Sequence, residues 1–342
     1  MFFSSHHSHP RTFHLLKKLS KRCNVELFSL KTDSKLFDLC SRIYIDLLPN
    51  KNKRVKFEVS NNFDDTSNNP KRLYKCYYFW LPYCIEIADK ISKSFVIELN
   101  SSDWGVDDCL SMTSLDINNI IPDEYAMYES RNFRRYNLPK NLVDFKSNWI
   151  KRKPIMFWRG STTGHPISST QSLRELNRVK TCLMYQTDEK FDMKISNIVQ
   201  NKIPKQIISQ WLSKNNIYSQ RVNESKFMLY KYHPDLAGNN ELCGSWGVIR
   251  KYLRGNLVFK PNYKSYMYYD RFLEPWKHYI PVDLEFSDLR EKYLWAENHQ
   301  EEAMRISWEG YCMAKNYLLN IKDYFIKTVI ENLTIIQYEN DY

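Results

Sequence analysis

The chain has 342 residues, room for two domains of ordinary size, and 43% of them are apolar and 15% aromatic, which excludes a globally disordered chain. A formal net charge of +11 calls for an anionic partner or surface, and nucleic acid, a phosphorylated small molecule and an acidic membrane face all satisfy it. The eight cysteines are scattered and form no C-x-x-C pair, which excludes a zinc ribbon or a dithiol redox motif and reads as free thiols in a reducing compartment.

In chain order, residues 1–60 are mixed, with a basic stretch at 17–22, short apolar runs and a histidine-rich start (His6, His7, His9, His14) that reads as a frayed polar tail. No apolar segment of signal-peptide length follows Met1, and no 18-residue apolar run occurs. The expectation is therefore a soluble cytoplasmic protein whose basic charge leaves peripheral membrane contact open. Residues 60–71 are polar and turn-forming, a surface loop. Residues 94–99 (SFVIEL) predict a buried strand, with a loop at 100–108. Residues 154–158 (PIMFW) predict a second strand and 226–232 a third, followed by a turn at 234–240. A helix is expected over 245–253, ended by Gly255 at its C-terminal cap, then strands at 256–260 and 278–282. Ser287 is placed to cap a helix over 288–296, and helical spacing of Ala303, Ile306, Gly310, Met313 and Tyr317 predicts a long C-terminal helix.

Strands alternating with helices from residue 154 onward predict a parallel α/β layer, in which ligands bind beyond the carboxyl ends of the strands. Three loops qualify. Residues 159–164 (RGSTTG) supply a guanidinium, three hydroxyls and two glycines directly after a strand, a composition that suits a diphosphate or an ordinary turn equally. Lys231, Tyr232, Asp235, Gly238 and Asn239 form a second polar turn, with Arg250 and Lys251 one helix further on. Asp103, Asp107 and Asp108 follow the 94–99 strand, where a carboxylate can act as a general base or simply face solvent. His278, in a segment rich in large rigid residues, reads as structural. There is no D-x-D, G-x-G-x-x-G, Walker loop, H-E-x-x-H or G-x-S-x-G, so dinucleotide, ATP, zinc-protease and serine-hydrolase readings lose their best evidence.

These residues, in this order, resemble glycosyltransferase family 90. The matching segments are 157–164 (FWRGSTTG), Lys231-Tyr232 with Gly238-Asn239, and 255–259 (GNLVF). They continue with 270–282 (DRFLEPWKHYIPV), 286–289 (FSDL) and Glu302-Ala303 through Gly310, about 155 residues in all. The resemblance implies an α/β chain of GT-B type, two Rossmann-like domains facing across a cleft. It further implies a UDP-sugar donor as co-substrate, no metal or other cofactor, and inversion at the anomeric carbon. Carried over by residue, Arg159, Gly160, Ser161 and Thr162 would hold the diphosphate, with Lys231, Tyr232, Gly238 and Asn239 beside them and Asp103 (in N-S-S-D-W-G) as the base. The family pattern places a serine and, two residues on, an arginine after the Lys-Tyr strand. If Ser245 is that serine, Gly247 stands where the arginine belongs, and Arg250 is the candidate to supply the charge.

The resulting expectation is transfer of glucose or xylose to a hydroxyl of a glycan, a lipid-linked glycan such as lipopolysaccharide, or a protein. Residues 1–148 would form an acceptor-side domain, 149–315 the nucleotide-sugar domain and 316–342 a helical tail. Two other classes stay open: a catalytically inactive protein of the same fold, and a basic nucleic-acid-binding protein, although the lysines are dispersed and no recognition motif occurs.

Overall fold

The computed structural model describes residues 9–36, 39–48, 52–106, 109–132 and 138–337, arranged as two compact units, Met1–Ser130 with Asn320–Tyr342 and Arg131–Leu319. The chain passes between them inside two helices, so the compact units divide at 130/131 and 319/320 rather than near 148 and 315.

The first unit contains α1 (Pro10–Arg22), β1 (Glu26–Asp33), β2 (Cys40–Leu47), β3 (Lys53–Ser60), α2 (Asn69–Ile91), β4 (Phe95–Asn100), β5 (Leu110–Ser111), β6 (Thr113–Ser114) and α3 (Glu124–Arg131). The described part of residues 1–60 is thus a helix and three strands. His9 is buried with its ring 5.6 Å from that of Phe63, so it belongs to the packed structure and not to a frayed tail, whereas His6 and His7 lie outside the described residues. The sheet runs β1-β3-β2-β4, with β5 also on β4. It is mixed: β2 is antiparallel to both neighbours, and β1 is parallel to β3. The link from β2 to β3 is too short for a crossover helix, so that pair is a hairpin.

Strand alternation gives this sheet its buried face. Ile43 and Ile45 of β2 sit opposite Phe57 and Val55 of β3, all four inaccessible to solvent. The helix α2 covers it with Leu73, Tyr77, Trp80, Cys84 and Ile87, spaced three and four apart on one helical face. Tyr77 meets Phe57 edge-on at 5.0 Å. On the other face, Arg42 of β2 pairs across the strands with Glu58 of β3 at 3.0 Å and with Glu98 of β4, and reaches Asp33 of β1 at 2.8 Å.

The second unit contains α4 (Leu142–Ile150), β7 (Lys153–Ser161), α5 (Thr170–Glu175), α6 (Asn177–Met184), β8 (Phe191–Asn197), α7 (Lys205–Lys214), β9 (Tyr230–Pro234), α8 (Val248–Leu253), β10 (Leu257–Pro261), β11 (Tyr266–Met267), β12 (Ile280–Val282) and α9 (Leu289–Asn298). The 33-residue helix α10 (Gln300–Asn332) and β13 (Thr334–Ile335) complete the chain, β13 pairing antiparallel with β4. Among the described residues no helix is long and apolar enough to cross a membrane.

The expected parallel layer is present: β12-β10-β9-β7-β8, parallel at every pairing. Counting the five strands of this sheet from its first, the order is 2-1-3-4-5. The chain leaves β7 in one direction and later returns to build outward in the other. The direction therefore reverses between β7 and β9, and in such sheets the crevice at the carboxyl ends of that pair is the ligand-binding position.

Local details differ from the sequence reading. The strand expected over 226–232 is a 3-10 turn, Glu224–Leu229, followed by β9, because Asn223 accepts from the Ser225 N–H and caps a turn first. The helix expected from 245 begins at Val248, after the glycine-containing loop Gly244–Gly247. Asp288, not Ser287, precedes α9, since Ser287 is bonded to Asp283. Gly255 is the expected helix terminator: its φ is +69°, and Arg152 donates to the carbonyls of Arg254 (2.7 Å) and Gly255. A Cβ there would lie 2.6 Å from Phe145 Cε2. We expect Gly255→Ala to destabilise this unit by about 1–3 kcal/mol, from the left-handed backbone and the overpacking together, measured as a lower urea midpoint. An unchanged midpoint would show that the Phe145 contact relaxes freely.

Candidate functional site

At the carboxyl ends of β7 and β9 two loops are fastened by one side chain. Arg178, in the first turn of α6, is half-buried. It donates from Nε to Ala237 O (2.6 Å), from Nη2 to Leu236 O (3.1 Å), and from Nη1 to Ser161 O (3.1 Å) and to Thr163 Oγ1. All four acceptors are uncharged. Removal from water disfavours the cation and lowers its pKa to about 10, with partial compensation from Tyr263 and Asp235. The guanidinium thus brings a positive charge, hydrogen-bonded only to neutral oxygens, to the point where the sheet reverses direction.

Gln200 makes a second tie, accepting from Gly164 N (3.0 Å) and donating to Asn239 Oδ1 (2.9 Å). Thr162 is fully buried, with its hydroxyl between the carbonyl and N–H of Val199 (2.9 Å each), and Ser161 Oγ accepts from Asn197 (3.0 Å). Gly238 passes directly over Arg178: a Cβ there would be 3.2 Å from Nη2. Beneath the second loop, buried Asp235 accepts from Ser245 N at 2.8 Å, fixing the start of the Ser245 segment, and burial pushes its carboxyl pKa up. Beside the cradle lies a cavity of about 200 Å³, walled by Asn177, Thr181, Leu236, Ala237, Tyr263 and Phe286.

The structure thus brings together Ser161, Thr162, Gly238, Asn239 and Ser245 from the sequence-derived set. It places others elsewhere. Arg159 lies within β7 and turns back along the strand, its Nη2 meeting both Asp192 carboxylate oxygens (2.7 and 2.8 Å) and its Nη1 the carbonyls of Trp158 and Asp192, so both Nη groups are committed inside the sheet while its Nε is buried without a hydrogen-bond partner. Gly160 is there because the Trp158 indole occupies the space a side chain would need. Lys231 and Tyr232 are mid-strand. Lys231 donates to Gln300 (2.6 Å), and Tyr232, fully buried, is bonded to Glu297 and accepts from Gln300 (2.8 Å). Both heads face the junction of α9 and α10, away from the carboxyl-end loops, because α9 runs back from the end of β12. Arg250 lies against Gly247, where a Cβ would sit 3.0 Å from its Nη2, and its Nε is 3.7 Å from Glu224. Its guanidinium therefore fills the space a side chain at 247 would use.

Arg178, Thr163 and Gln200 were missed by sequence reasoning, except that Thr163 lies in the RGSTTG loop. A signal existed for Arg178. It shares a helical face with buried Thr181 and Cys182 and with Tyr185, and a charged residue on an inward face needs an internal partner.

In the first unit, Asp103 follows β4. Its carboxylate is ion-paired with Arg72 Nη2 at 2.8 Å, and its carbonyl accepts from Thr113 Oγ1 at 3.0 Å. Arg72, on α2, also donates to Ser101 O (2.7 Å) and pairs with Glu124 of α3 at 3.2 Å. Asp107 and Asp108 lie outside the described residues. Glu124 is almost fully buried and neither carboxyl oxygen accepts a hydrogen bond, so burial raises its pKa to about 7 against the pull of Arg72. Asp123, buried and bonded to Ala126 N at 2.9 Å, is raised by burial to about 6. A carboxyl whose pKa is higher folded than unfolded favours folding while it is protonated. That contribution declines as pH rises from the unfolded value through the folded one. Stability of this unit should therefore fall between about pH 4.5 and 7. We expect Glu124→Gln, which cannot ionise, to flatten the fall, measured as melting temperature against pH. An equally steep wild-type and variant profile would contradict the assignment.

A family model, Glycosyl transferase family 90, matches residues 114–340. Human Protein O-glucosyltransferase 3 is 37% identical over 92 residues, 27% of this chain and 18% of that protein, and zebrafish (Danio rerio) Protein O-glucosyltransferase 2 is 33% identical over 93 residues with the same coverage. Uncharacterized protein 179R of Invertebrate iridescent virus 6 is 26% identical over 209 residues, 55% of this chain and 17% of that protein. The chain therefore spans under a fifth of the length of these relatives. Among solved structures, the C-terminal domain of the group 1 glycosyl transferase LpcC from Francisella tularensis aligns with 52% of this chain and 92% of that one, at 10% identity and a TM-score of 0.30. Anabaena HepE in complex with UDP-glucose aligns with 62% of this chain and 57% of that one, at 8% identity and a TM-score of 0.37, both scores too low to establish a shared fold. The family match covers about two thirds of the chain, all of the second unit and parts of the first (114–130 and 320–340), and on it the chain belongs to glycosyl transferase family 90.

Proposed function

We propose that the chain transfers a sugar, glucose or xylose, from a UDP-sugar to an acceptor hydroxyl with inversion and without a metal cofactor. The observation that carries this reading is the Arg178 cradle: a half-buried cation with only neutral partners, at the reversal point of a parallel sheet, where an anionic ligand gains most. Ser161, Thr163, Gly238 and Asn239 line the diphosphate position, and the neighbouring 200 Å³ cavity, walled by Leu236, Tyr263 and Phe286, takes the nucleoside. Family membership and the O-glucosyltransferase relatives support the sugar-transfer class. Arg178 then stabilises the charge that grows on the departing diphosphate, while Asp103 removes the proton of the attacking hydroxyl. Arg72 positions the Asp103 carboxylate through the ion pair. A cytoplasmic setting with contact to an acidic membrane face belongs to the same proposal, motivated by the +11 charge and by eight cysteines whose scattered spacing includes no C-x-x-C pair.

Two linked measurements test it. UDP should raise the melting temperature, with a stabilisation of about 2.7 kcal/mol at a hundredfold excess over Kd, and EDTA should leave the effect in place. Asp103→Asn should keep that shift while transfer falls by about 10²–10⁴-fold. No shift with any uridine nucleotide at saturating concentration would remove the donor assignment. A UDP shift without turnover of any donor would favour the catalytically inactive alternative, and salt-sensitive nucleic-acid binding with no UDP response the basic-binder alternative.

A further inference from the structure

In the first unit lies a cavity of about 610 Å³, lined by both sequence neighbours of Asp103, that the donor reading does not use. Its volume is within the roughly 300–1,000 Å³ range of small-molecule sites. It sits at the carboxyl ends of β1, β3 and β4, which run in the same direction because β1 is parallel to β3 and β2 opposes both β3 and β4. Ser34, Lys35 and Leu36 line it after β1, Asn62 after β3, and Ser102 and Trp104 after β4. Asp103 lies between the last two.

Trp104 is 51% exposed, unusual for the side chain with most apolar surface to hide. Looseness of the turn does not account for this. The Trp104 carbonyl accepts from Asn100 Nδ2 at 2.7 Å and from Ser102 Oγ at 2.5 Å, its N–H donates to Ser102 Oγ at 3.0 Å, and a Cβ on Gly105 would collide with the Thr113 carbonyl. The backbone is pinned on both sides of an indole left in the open.

We propose that this cavity is the acceptor subsite and that the acceptor is a carbohydrate, stacked on Trp104. The inference rests on the reading of the chain as a sugar transferase, and narrows its acceptor from glycan or protein to glycan. The electron-rich face of an indole attracts the slightly positive C–H groups on one face of a pyranose. The hydroxyls of Ser34 and Ser102 and the amide of Asn62 match sugar hydroxyls around the ring. Among the described residues Lys35 is the one formally charged side chain in the lining, whereas a nucleic-acid backbone is tracked by several cations. Asp103, the residue proposed to take the acceptor's proton, lies between Ser102 and Trp104 in the sequence, both of which line the cavity.

The test is saturation-transfer NMR on the full chain with millimolar cellotriose, xylotriose and chitotriose, and a serine-containing peptide for comparison. Wild type should transfer saturation to the ring protons of at least one saccharide. Trp104→Ala should weaken that signal by about three- to tenfold, the size of one aromatic contact, and Trp104→Phe should retain most of it. The melting shift with UDP should be equal in all three proteins. Absence of transfer to every saccharide, an undiminished signal in Trp104→Ala, or transfer to the peptide alone would overturn the proposal. With the UDP shift intact, any of those results removes the acceptor assignment only; loss of the shift in wild type removes the donor reading instead.

Discussion

One guanidinium holds the carboxyl edge of the second unit together. The loops after β7 and β9 both carry backbone carbonyls that point inward, and carbonyls without donors are costly away from water. Arg178 supplies donors to three of them and to the Thr163 hydroxyl, from a helix in the crossover that itself begins at the end of β7. The same arrangement leaves a positive charge without a hydrogen-bonded carboxylate. The charge that organises the loops is also the charge that the proposed diphosphate would meet there. Gly238 matters for the same reason, since a side chain at that position would press on the guanidinium.

Much of the second unit was legible in the sequence. Apolar runs at 154–158 and 256–260 fixed β7 and β10 to within a few residues, and Gly255 marked the end of α8, because buried parallel strands and left-handed caps leave local signatures. The first unit was less so. No expectation covered α2, whose aromatic run and internal Pro82 oppose helix propensity. The buried stripe from Leu73 to Ile87 outweighs that cost once β2 and β3 lie beneath it. The α/β class holds in both units, although the first sheet mixes strand directions.

The site shows the same division. The RGSTTG loop and the Gly238–Asn239 turn were found as positions, and the structure brings them together. Their charges were read differently from how they fold. Arg159 is adjacent to the loop in sequence, yet a strand side chain can reach back as readily as forward, and Asp192 on β8 captures it. Lys231 and Tyr232 likewise sit on the right strand but serve the α9–α10 junction. Arg178 is nineteen positions further along than Arg159 and reaches the loop only because α6 packs against β8. Spacing along the chain could locate the loops but not identify the side chain that joins them. In the first unit Arg72 plays a comparable part from one turn of α2, hydrogen-bonding to the Ser101 carbonyl and ion-pairing with Asp103 and Glu124.

The central claim is that the ligand's phosphates bind where Arg178 joins the two loops. Hydrogen–deuterium exchange of the full chain with and without UDP tests it most directly, because exchange reports local opening residue by residue. UDP should slow exchange in peptides covering 161–164 and 236–240 and leave the Lys231–Gln300 region unchanged. Protection centred on α9 and the start of α10, with the two loops unaffected, would contradict the account and return the phosphate site to Lys231 and Tyr232.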